Sequence, residues 1–276
     1  MFKRIYIETT NVCNLSCAFC PGTRREKRFM TEKELEEILL RLRGHTRHLY
    51  FHLMGEPLLH PQLPEFIQMA DEHGFLSMIT TNGTLLSSRG DGLLASRGLH
   101  RVNISLQAYE ANSGMGALEK YIAGVAGFAK KCGERGVICS MRLWNGGGAE
   151  SLNDEVTRLL AEHFPGRWRK GQMNETLDRN VFLERGERFD WPDMTAEELG
   201  GGTFCRGLRD HIGILCDGTV VPCCLDHEGD AALGNIFESE LEDIVSSERA
   251  RNIYDGFTGR QAREELCRKC GYARRF

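Results

Sequence analysis

Three cysteines lie within eight residues near the start of the chain, in the segment Cys13-Asn-Leu-Ser-Cys17-Ala-Phe-Cys20. Thiolates at this spacing can each bind one iron of a 4Fe-4S cubane, which leaves the fourth iron without a protein ligand. A structural zinc site needs four ligands, and no fourth ligand lies within this loop. The segment therefore favours an iron-sulfur cluster with one open iron over a zinc ribbon.

The last third of the chain contains six more cysteines: Cys205, Cys216, Cys223, Cys224, Cys267 and Cys270. Four thiolates can bind every iron of a second cubane, although a structural zinc ion needs the same number of ligands. Neighbouring residues of a strand point to opposite faces, so Cys223 and Cys224 are not expected to bind the same cluster. An Asp217-Gly218 turn predicts a hairpin just before them.

Further candidates follow the predicted strands: Met54, Gly55, Glu56, Ser105, Gln107, Arg142 and Asn145. Parallel strands would bring these residues to one edge of a sheet, where α/β enzymes bind their ligands. A guanidinium such as that of Arg142 is suited to a carboxylate of a cofactor or substrate. Taken singly, each residue also fits an ordinary strand end, and the nearby His52 and His60 fit either proton carriers or buried core residues.

The elements that would position these residues alternate regularly between Lys3 and about residue 190. Short apolar runs, the first from Arg4 to Thr10 and the second from His48 to Leu53, alternate with segments of helical period, such as the one that a capping box of Thr31 and Glu34 begins. About six βα units result, which are too few for a closed eight-stranded barrel. We therefore predict an α/β fold, a partial (β/α)6 barrel over residues 1–190, and a small cysteine-rich domain over residues 191–276 after the Gly200-Gly201-Gly202 break.

Composition narrows the kind of partner. A net charge of -4, with acids and bases interspersed, gives no basic surface for a nucleic acid or an anionic membrane. The N-terminus lacks a secretory signal, and no apolar stretch reaches about 18 residues. Eleven cysteines in such a chain indicate metal or redox chemistry rather than disulfides. We expect a soluble, cytoplasmic protein that acts on a small molecule or a peptide.

The cysteine loop resembles the CxxxCxxC motif of the radical S-adenosylmethionine (SAM) superfamily, including an aromatic residue, Phe19, before the third cysteine. The resemblance implies a radical-generating 4Fe-4S cluster on Cys13, Cys17 and Cys20, with SAM on its open iron. It also implies that the segment Met54-Gly55-Glu56 binds the cofactor's amino group and that Ser105 and Gln107 contact its ribose. Arg142 and Asn145 would reach the cofactor carboxylate or the substrate.

The C-terminal pattern is similar to the auxiliary-cluster module of the SPASM/Twitch subgroup of this superfamily. The resemblance implies one auxiliary 4Fe-4S cluster, because two clusters would need further cysteines beyond those of this short Twitch form. Its ligands would be Cys205, Cys223, Cys267 and Cys270. The layout also resembles the 2-deoxy-scyllo-inosamine dehydrogenases of this subgroup, except that Gly146 follows Asn145 where their pattern has an arginine, so a different substrate is expected.

These resemblances imply that a 5'-deoxyadenosyl radical abstracts a substrate hydrogen atom and that the auxiliary cluster accepts the remaining electron. The cofactors would carry the chemistry while the barrel binds and orients the substrate. A one-electron donor such as flavodoxin or ferredoxin would be required. Two alternatives remain: a maturase that oxidises or cross-links a ribosomal peptide, against which no leader-binding domain precedes the barrel, and a non-catalytic iron-sulfur or zinc-binding module.

Overall fold

Six parallel strands form the centre of the fold in a computed structural model, which describes residues 1–172, 174–199 and 202–275. Further strands extend this centre on both sides. In chain order the strands of the whole sheet are β1 (Arg4–Ile7), β2 (His48–Tyr50), β3 (Leu76–Thr81), β4 (Leu99–Ser105), β5 (Ile138–Gly146), β6 (Arg169–Lys170), β7 (Asn174–Asp178), β8 (Val181–Glu187), β9 (His211–Ile214), β10 (Thr219–Val221) and β11 (Gly234–Asn235). Their order in the sheet is β11-β10-β9-β1-β2-β3-β4-β5-β8-β7-β6. The run from β1 to β5, continued by β8, is parallel throughout, which confirms the predicted open barrel of six βα units.

The helices follow the strands as the apolar periodicity predicts. They are α1 (Glu32–Arg41), α2 (Leu63–Glu72), α3 (Leu86–Ala95), α4 (Gln107–Glu110), α5 (Leu118–Arg135), α6 (Asn153–His163), α7 (Leu241–Val245), α8 (Glu248–Thr258) and α9 (Glu265–Arg268). The predicted capping box is present: the Thr31 hydroxyl accepts from the backbone of Glu34, whose carboxylate accepts in return from the backbone of Thr31. Each long helix buries its apolar stripe against the sheet.

Two predicted strands are shorter in the structure, for local reasons. The first was expected to reach Thr10 but ends at Ile7, because the Thr9 carbonyl accepts from Met30 and Thr10 pairs with Phe29. The second was expected to reach Leu53 but ends at Tyr50, where the His52 amide turns back to the Tyr50 carbonyl. The chain thus leaves the sheet early at both places and forms the loops that carry the candidate residues.

Both edges of the barrel sheet are extended by hairpins. On one side β9 pairs in parallel with β1, and the predicted Asp217-Gly218 turn joins β9 to antiparallel β10. On the other side β6 and β7 add antiparallel strands to β8, which the βα rhythm did not predict. The division that we expect after residue 190 falls between β8 and β9, while its Gly200-Gly201 part lies outside the described residues.

Within the described residues, no helix is long and apolar enough to span a membrane. Cys132 and Cys139 are fully buried in the main core.

Candidate active site

The carboxyl edge of the parallel sheet surrounds a cavity of about 780 Å³, which we call the cluster cavity. Its lining includes most of the residues that were predicted for the radical-generating centre: Cys13, Cys17, Phe19, Cys20, Met54, Gly55, Glu56 and Ser105. The strand ends of β1, β2, β3 and β4 supply this lining, as the parallel topology requires. The structure therefore brings together the three-cysteine loop and the turn at Gly55-Glu56, which we call the Gly-Glu turn.

A second cavity of about 340 Å³ adjoins the first. It contains the other three predicted residues, Gln107, Arg142 and Asn145, together with aromatic walls formed by Trp144, Phe189 and Trp191. The two cavities share a boundary of five residues: Phe19, Leu53, Thr80, Ser105 and Trp191. A molecule in the second cavity would therefore lie directly beside the contents of the cluster cavity.

The Gly-Glu turn is fixed from inside the protein. The buried Glu56 carboxylate accepts hydrogen bonds from the Thr81 hydroxyl at 2.7 Å, the Asn82 amide at 2.7 Å and the Leu58 amide at 3.0 Å. Burial raises the pKa of Glu56, while these donors favour its charged form. Thr81 and Asn82, at the end of β3, also line the cluster cavity, and their polar groups anchor the Gly-Glu turn to that strand.

Gly55 occupies a position that no side chain can share. Its φ of +78° lies in the left-handed region, and a Cβ there would stand 2.3 Å from the Thr10 carbonyl oxygen and 2.8 Å from that of Val12. In addition, the Glu56 amide donates to the Val12 carbonyl at 2.8 Å. The turn after β2 thus packs directly on the backbone that leads into the cysteine loop.

A buried ion pair that the sequence did not suggest supports the same loop. Arg25 donates to both carboxylate oxygens of Glu8, at 2.6 Å and 2.9 Å, and its Nε donates to the His227 carbonyl at 2.8 Å. Glu8 also accepts from the amides of Met54 and Cys216. A charged residue directly after the apolar run of β1 is the only signal that could have revealed it. The pair ties the cysteine loop to the C-terminal module.

Positive charge dominates the polar side of the second cavity. Arg142 is mostly buried, and burial lowers its pKa, but a guanidinium stays protonated in proteins. Its Nε donates to Glu184 at 3.2 Å, and its guanidinium lies 4.4 Å from the Trp144 ring centre. Glu184 is shared with Arg101, so a single carboxylate faces two arginines. Burial also lowers the pKa of His52 to about 3, which leaves that ring neutral beside them.

The auxiliary thiols converge behind the second cavity. Burial raises the pKa of Cys223, and the neighbouring thiols of Cys224, Cys205, Cys267 and Cys270 raise it further, so all four of these thiols lie near it. Cys223 and Cys205 also both lie within 4 Å of the Cβ position of Gly207. Cys224, by contrast, points to Tyr6 and lines the second cavity. This opposite orientation agrees with the expectation that only one of the adjacent pair joins the set.

The donor chemistry of both thiol sets fits iron-sulfur clusters. Burial raises the pKa values of Cys13, Cys17, Cys205 and Cys270, so grouped thiolates there need the positive charge of a metal. Among the described residues, no three His, Cys, Asp or Glu side chains are grouped around a point that one ion could occupy. The ligands of a cubane bind different irons and stand further apart than those of one ion. Cys216 lies apart from both sets, beside Arg25 and Glu8.

The open α/β barrel, the thiol loop at its carboxyl edge and the added thiol-rich module define an enzyme class built on iron-sulfur clusters. Family comparison agrees: residues 7–138 match the radical SAM superfamily, and residues 205–271 match the SPASM iron-sulfur cluster-binding domain. The chain belongs to the radical SAM superfamily. It accordingly uses SAM, a 4Fe-4S cluster and an auxiliary iron-sulfur cluster.

Curated relatives have several different activities. A probable GTP 3',8-cyclase of Methanocella arvoryzae is 36% identical over 276 residues, with 87% of each chain covered. The Fe-coproporphyrin III synthase of Methanosarcina barkeri is 30% identical over 75% of this chain and 57% of its own length. A tungsten-containing aldehyde ferredoxin oxidoreductase cofactor-modifying protein of Pyrococcus furiosus is 28% identical, but the chain spans only 36% of its length.

Solved structures with the same fold include BtrN in complex with AdoMet and 2-DOIA. Its TM-score is 0.65 at 17% identity, with 98% of this chain and 93% of that chain covered. The enzyme anSMEcpe, bound to AdoMet and the Cp18Cys peptide, gives 0.64 at 16% identity, with 97% and 88% covered. These low identities establish a common fold. The two neighbours hold a small molecule and a peptide respectively.

Single substitutions test which of the adjacent cysteines binds iron. Anaerobically reconstituted protein with two cubanes should contain about eight irons per chain, and Cys223→Ala should reduce this to about four. Cys224→Ala is the matched control and should retain about eight, because its thiol points into the second cavity. Iron and acid-labile sulfide analysis measures the difference. Loss of iron from Cys224→Ala alone would contradict the assignment.

Proposed function

We propose that this enzyme oxidises a small molecule bound in the second cavity, with the substrate's hydrogen atom removed from one side and its electron from the other. The observation that carries the proposal is the position of that cavity. It shares five lining residues with the cluster cavity, and its lining also includes Cys224, the neighbour of Cys223. A substrate there would lie between a radical source and an electron acceptor.

The proposed ligands of the two clusters follow from the same geometry. Cys13, Cys17 and Cys20 would hold the radical-generating cluster in the loop that Gly55 and Arg25 support. The auxiliary cluster would be held by Cys205, Cys223, Cys267 and Cys270. We divide the chain accordingly into a barrel of residues 1–190 and an auxiliary-cluster domain of residues 191–276.

When bound, these groups supply a 5'-deoxyadenosyl radical that abstracts one hydrogen atom and an auxiliary cluster that accepts the remaining electron, while the substrate also releases a proton. A one-electron carrier such as ferredoxin or flavodoxin would exchange electrons with the protein. The chain's own contribution is to bind the substrate, to orient one carbon toward the Phe19–Ser105 boundary and to exclude water with its aromatic walls. The net reaction would be a two-electron oxidation.

A small substrate suits the second cavity better than a folded peptide. A volume of about 340 Å³ lies within the range of small-molecule sites. Arg142 provides a charged donor, and the stacked Trp144 fixes the plane of that guanidinium. Gln107 contributes an amide whose oxygen has no partner in the described structure. Together these groups favour a polar substrate that offers an acceptor oxygen to Arg142 and a hydrogen-bond donor to Gln107.

Anaerobic reconstitution followed by product analysis tests the proposal. Reduced protein should cleave SAM, and candidate substrates with deuterium at the reacting carbon should transfer it to 5'-deoxyadenosine. A Cys267→Ala/Cys270→Ala variant should still cleave SAM but should not release the oxidised product. Bound zinc in place of iron, or no SAM cleavage, would contradict the proposal, and deuterium transfer only from peptides would favour a maturase instead.

Replacing Arg142 by glutamine should weaken substrate turnover without weakening SAM binding, because Arg142 lines the second cavity and not the cluster cavity. A hydrogen bond to a charged group contributes about 1.5–3 kcal/mol, so kcat/KM should fall roughly 10- to 150-fold. Arg185→Gln, on the exposed part of β8, is the control and should change little. A weaker Kd for SAM with unchanged turnover would instead assign Arg142 to the cofactor carboxylate.

A further inference from the structure

Asn112 connects the cysteine loop to the short helix α4. Its side-chain Nδ2 donates to the Cys17 Sγ at 3.1 Å and to the Ala108 carbonyl at 2.7 Å. Its Oδ1 accepts from the Ser16 amide at 3.0 Å, and the Ala18 amide donates to the neighbouring Ala111 carbonyl at 3.2 Å. One amide group therefore contacts both the backbone of the loop and the sulfur of a proposed iron ligand.

The orientation of this amide is determined by its partners. The Ser16 amide can only donate, so it selects the oxygen of the Asn112 side chain. The Ala108 carbonyl can only accept, so it selects the nitrogen. The remaining proton of that nitrogen is then directed at the Cys17 sulfur. A flipped amide would lose all three contacts.

We propose that Asn112 is a positioning residue that orients Cys17 and makes the radical-generating cluster easier to reduce. The inference rests on the proposed ligation of that cluster by Cys13, Cys17 and Cys20. A reduced cluster carries one more negative charge, part of which lies on its thiolate sulfurs. An N–H donor stabilises that charge more than it stabilises the oxidised form, so hydrogen bonds to the sulfurs raise the reduction potential.

Two substitutions distinguish the hydrogen bond that Asn112 donates to the Cys17 sulfur from the one that it accepts from the loop backbone. Asn112→Leu removes all three side-chain contacts, whereas Asn112→Asp keeps an oxygen for the Ser16 amide and loses the donors to the Cys17 sulfur and the Ala108 carbonyl. A roughly tenfold loss in the equilibrium constant for reduction is expected in both, equal to about 59 mV for a one-electron couple. The carboxylate should give the larger decrease of the two, because it adds a negative charge beside the cluster.

The matched control is Asn14→Leu, in the same loop. The Asn14 side chain makes hydrogen bonds to Thr84 and Asn82 and none that is described to a sulfur, while its backbone contact with Cys13 is kept in the variant. Asn14→Leu should leave the reduction potential unchanged. This variant shows whether a disturbed loop alone can change the reduction potential of the cluster.

Redox titration followed by electron paramagnetic resonance measures the potential, and the cluster with the open iron is identified by the change in its signal on adding SAM. Lower potentials in both Asn112 variants, with full iron content and an unchanged Asn14→Leu, would support the inference. An unchanged potential in iron-loaded Asn112→Asp would overturn it. Failure of the unsubstituted protein to bind a SAM-responsive cluster would instead refute the proposed function.

Discussion

Arg25→Met is expected to lower the free energy of unfolding by about 3–5 kcal/mol, the range for removing one partner of a buried ion pair. Glu8 has no exposed surface and receives two hydrogen bonds from Arg25. Without the guanidinium its charge would remain buried without a counterion. The lost contact to the His227 carbonyl would also remove one of the hydrogen bonds that join the segment after the cysteine loop to the C-terminal module, while the Arg24 amide still donates to Glu228.

Urea denaturation under matched cluster loading measures this effect, through the shift of the unfolding midpoint. Lys131→Met removes an exposed pair with Asp91 and should cost less than about 1 kcal/mol. If Arg25→Met does not fold, Glu8→Gln/Arg25→Met provides the second measurement, because the amide is neutral and keeps an acceptor for one of the Met54 and Cys216 amides, which donate to different oxygens of Glu8. A double variant no more stable than Arg25→Met would show that the uncompensated charge is not the cause.

Gly55→Ala should abolish detectable SAM cleavage and lower the stability of the fold. Its Cβ would be 2.3 Å from a backbone oxygen that cannot rotate away, so the Gly-Glu turn or the residues before Cys13 must move. A displacement of about 1 Å in an active site can cost about 100-fold in rate. Both SAM affinity and its reductive cleavage report the change.

Gly44→Ala separates the strain of the backbone from the clash. Gly44 has a similar φ of +83°, but its Cβ position has no atom within 4 Å. The control should therefore cost only about 1–2 kcal/mol of stability and leave SAM cleavage intact. Equal loss of SAM cleavage in both variants would refute the role of close packing at Gly55.

The sequence reveals those parts of the site whose information is local. The spacing of Cys13, Cys17 and Cys20 lies within a single loop, and the end of β2 places Gly55 immediately after a strand. The parallel order of the strands then predicts that these segments meet at one edge. The confirmed barrel and the prediction of a cluster on the three-cysteine loop follow from such short-range patterns.

Contacts between distant segments could not be predicted in this way. Neither Glu8 nor Arg25 belongs to a sequence motif that predicts a contact, and their pairing depends on how the loop folds back over β1. Asn112 is similar, because its target sulfur lies 95 positions earlier in the chain. The β6–β7 hairpin was missed since its short, polar strands carry little apolar periodicity.

The parallel pairing of β9 with β1 determines how the loops that follow these two strands are placed relative to each other. Ile5 lies opposite Ile212, and Ile7 opposite Ile214, so one ladder of backbone hydrogen bonds sets the offset of the loops that follow. A slip of β9 by one residue would move the β9–β10 hairpin, which Cys223 follows, by about 3.3 Å and reverse the faces of β9. For the proposed cluster ligands, strand register therefore sets the distance between the two clusters, and a deletion within β9 is expected to change that distance without replacing a cysteine.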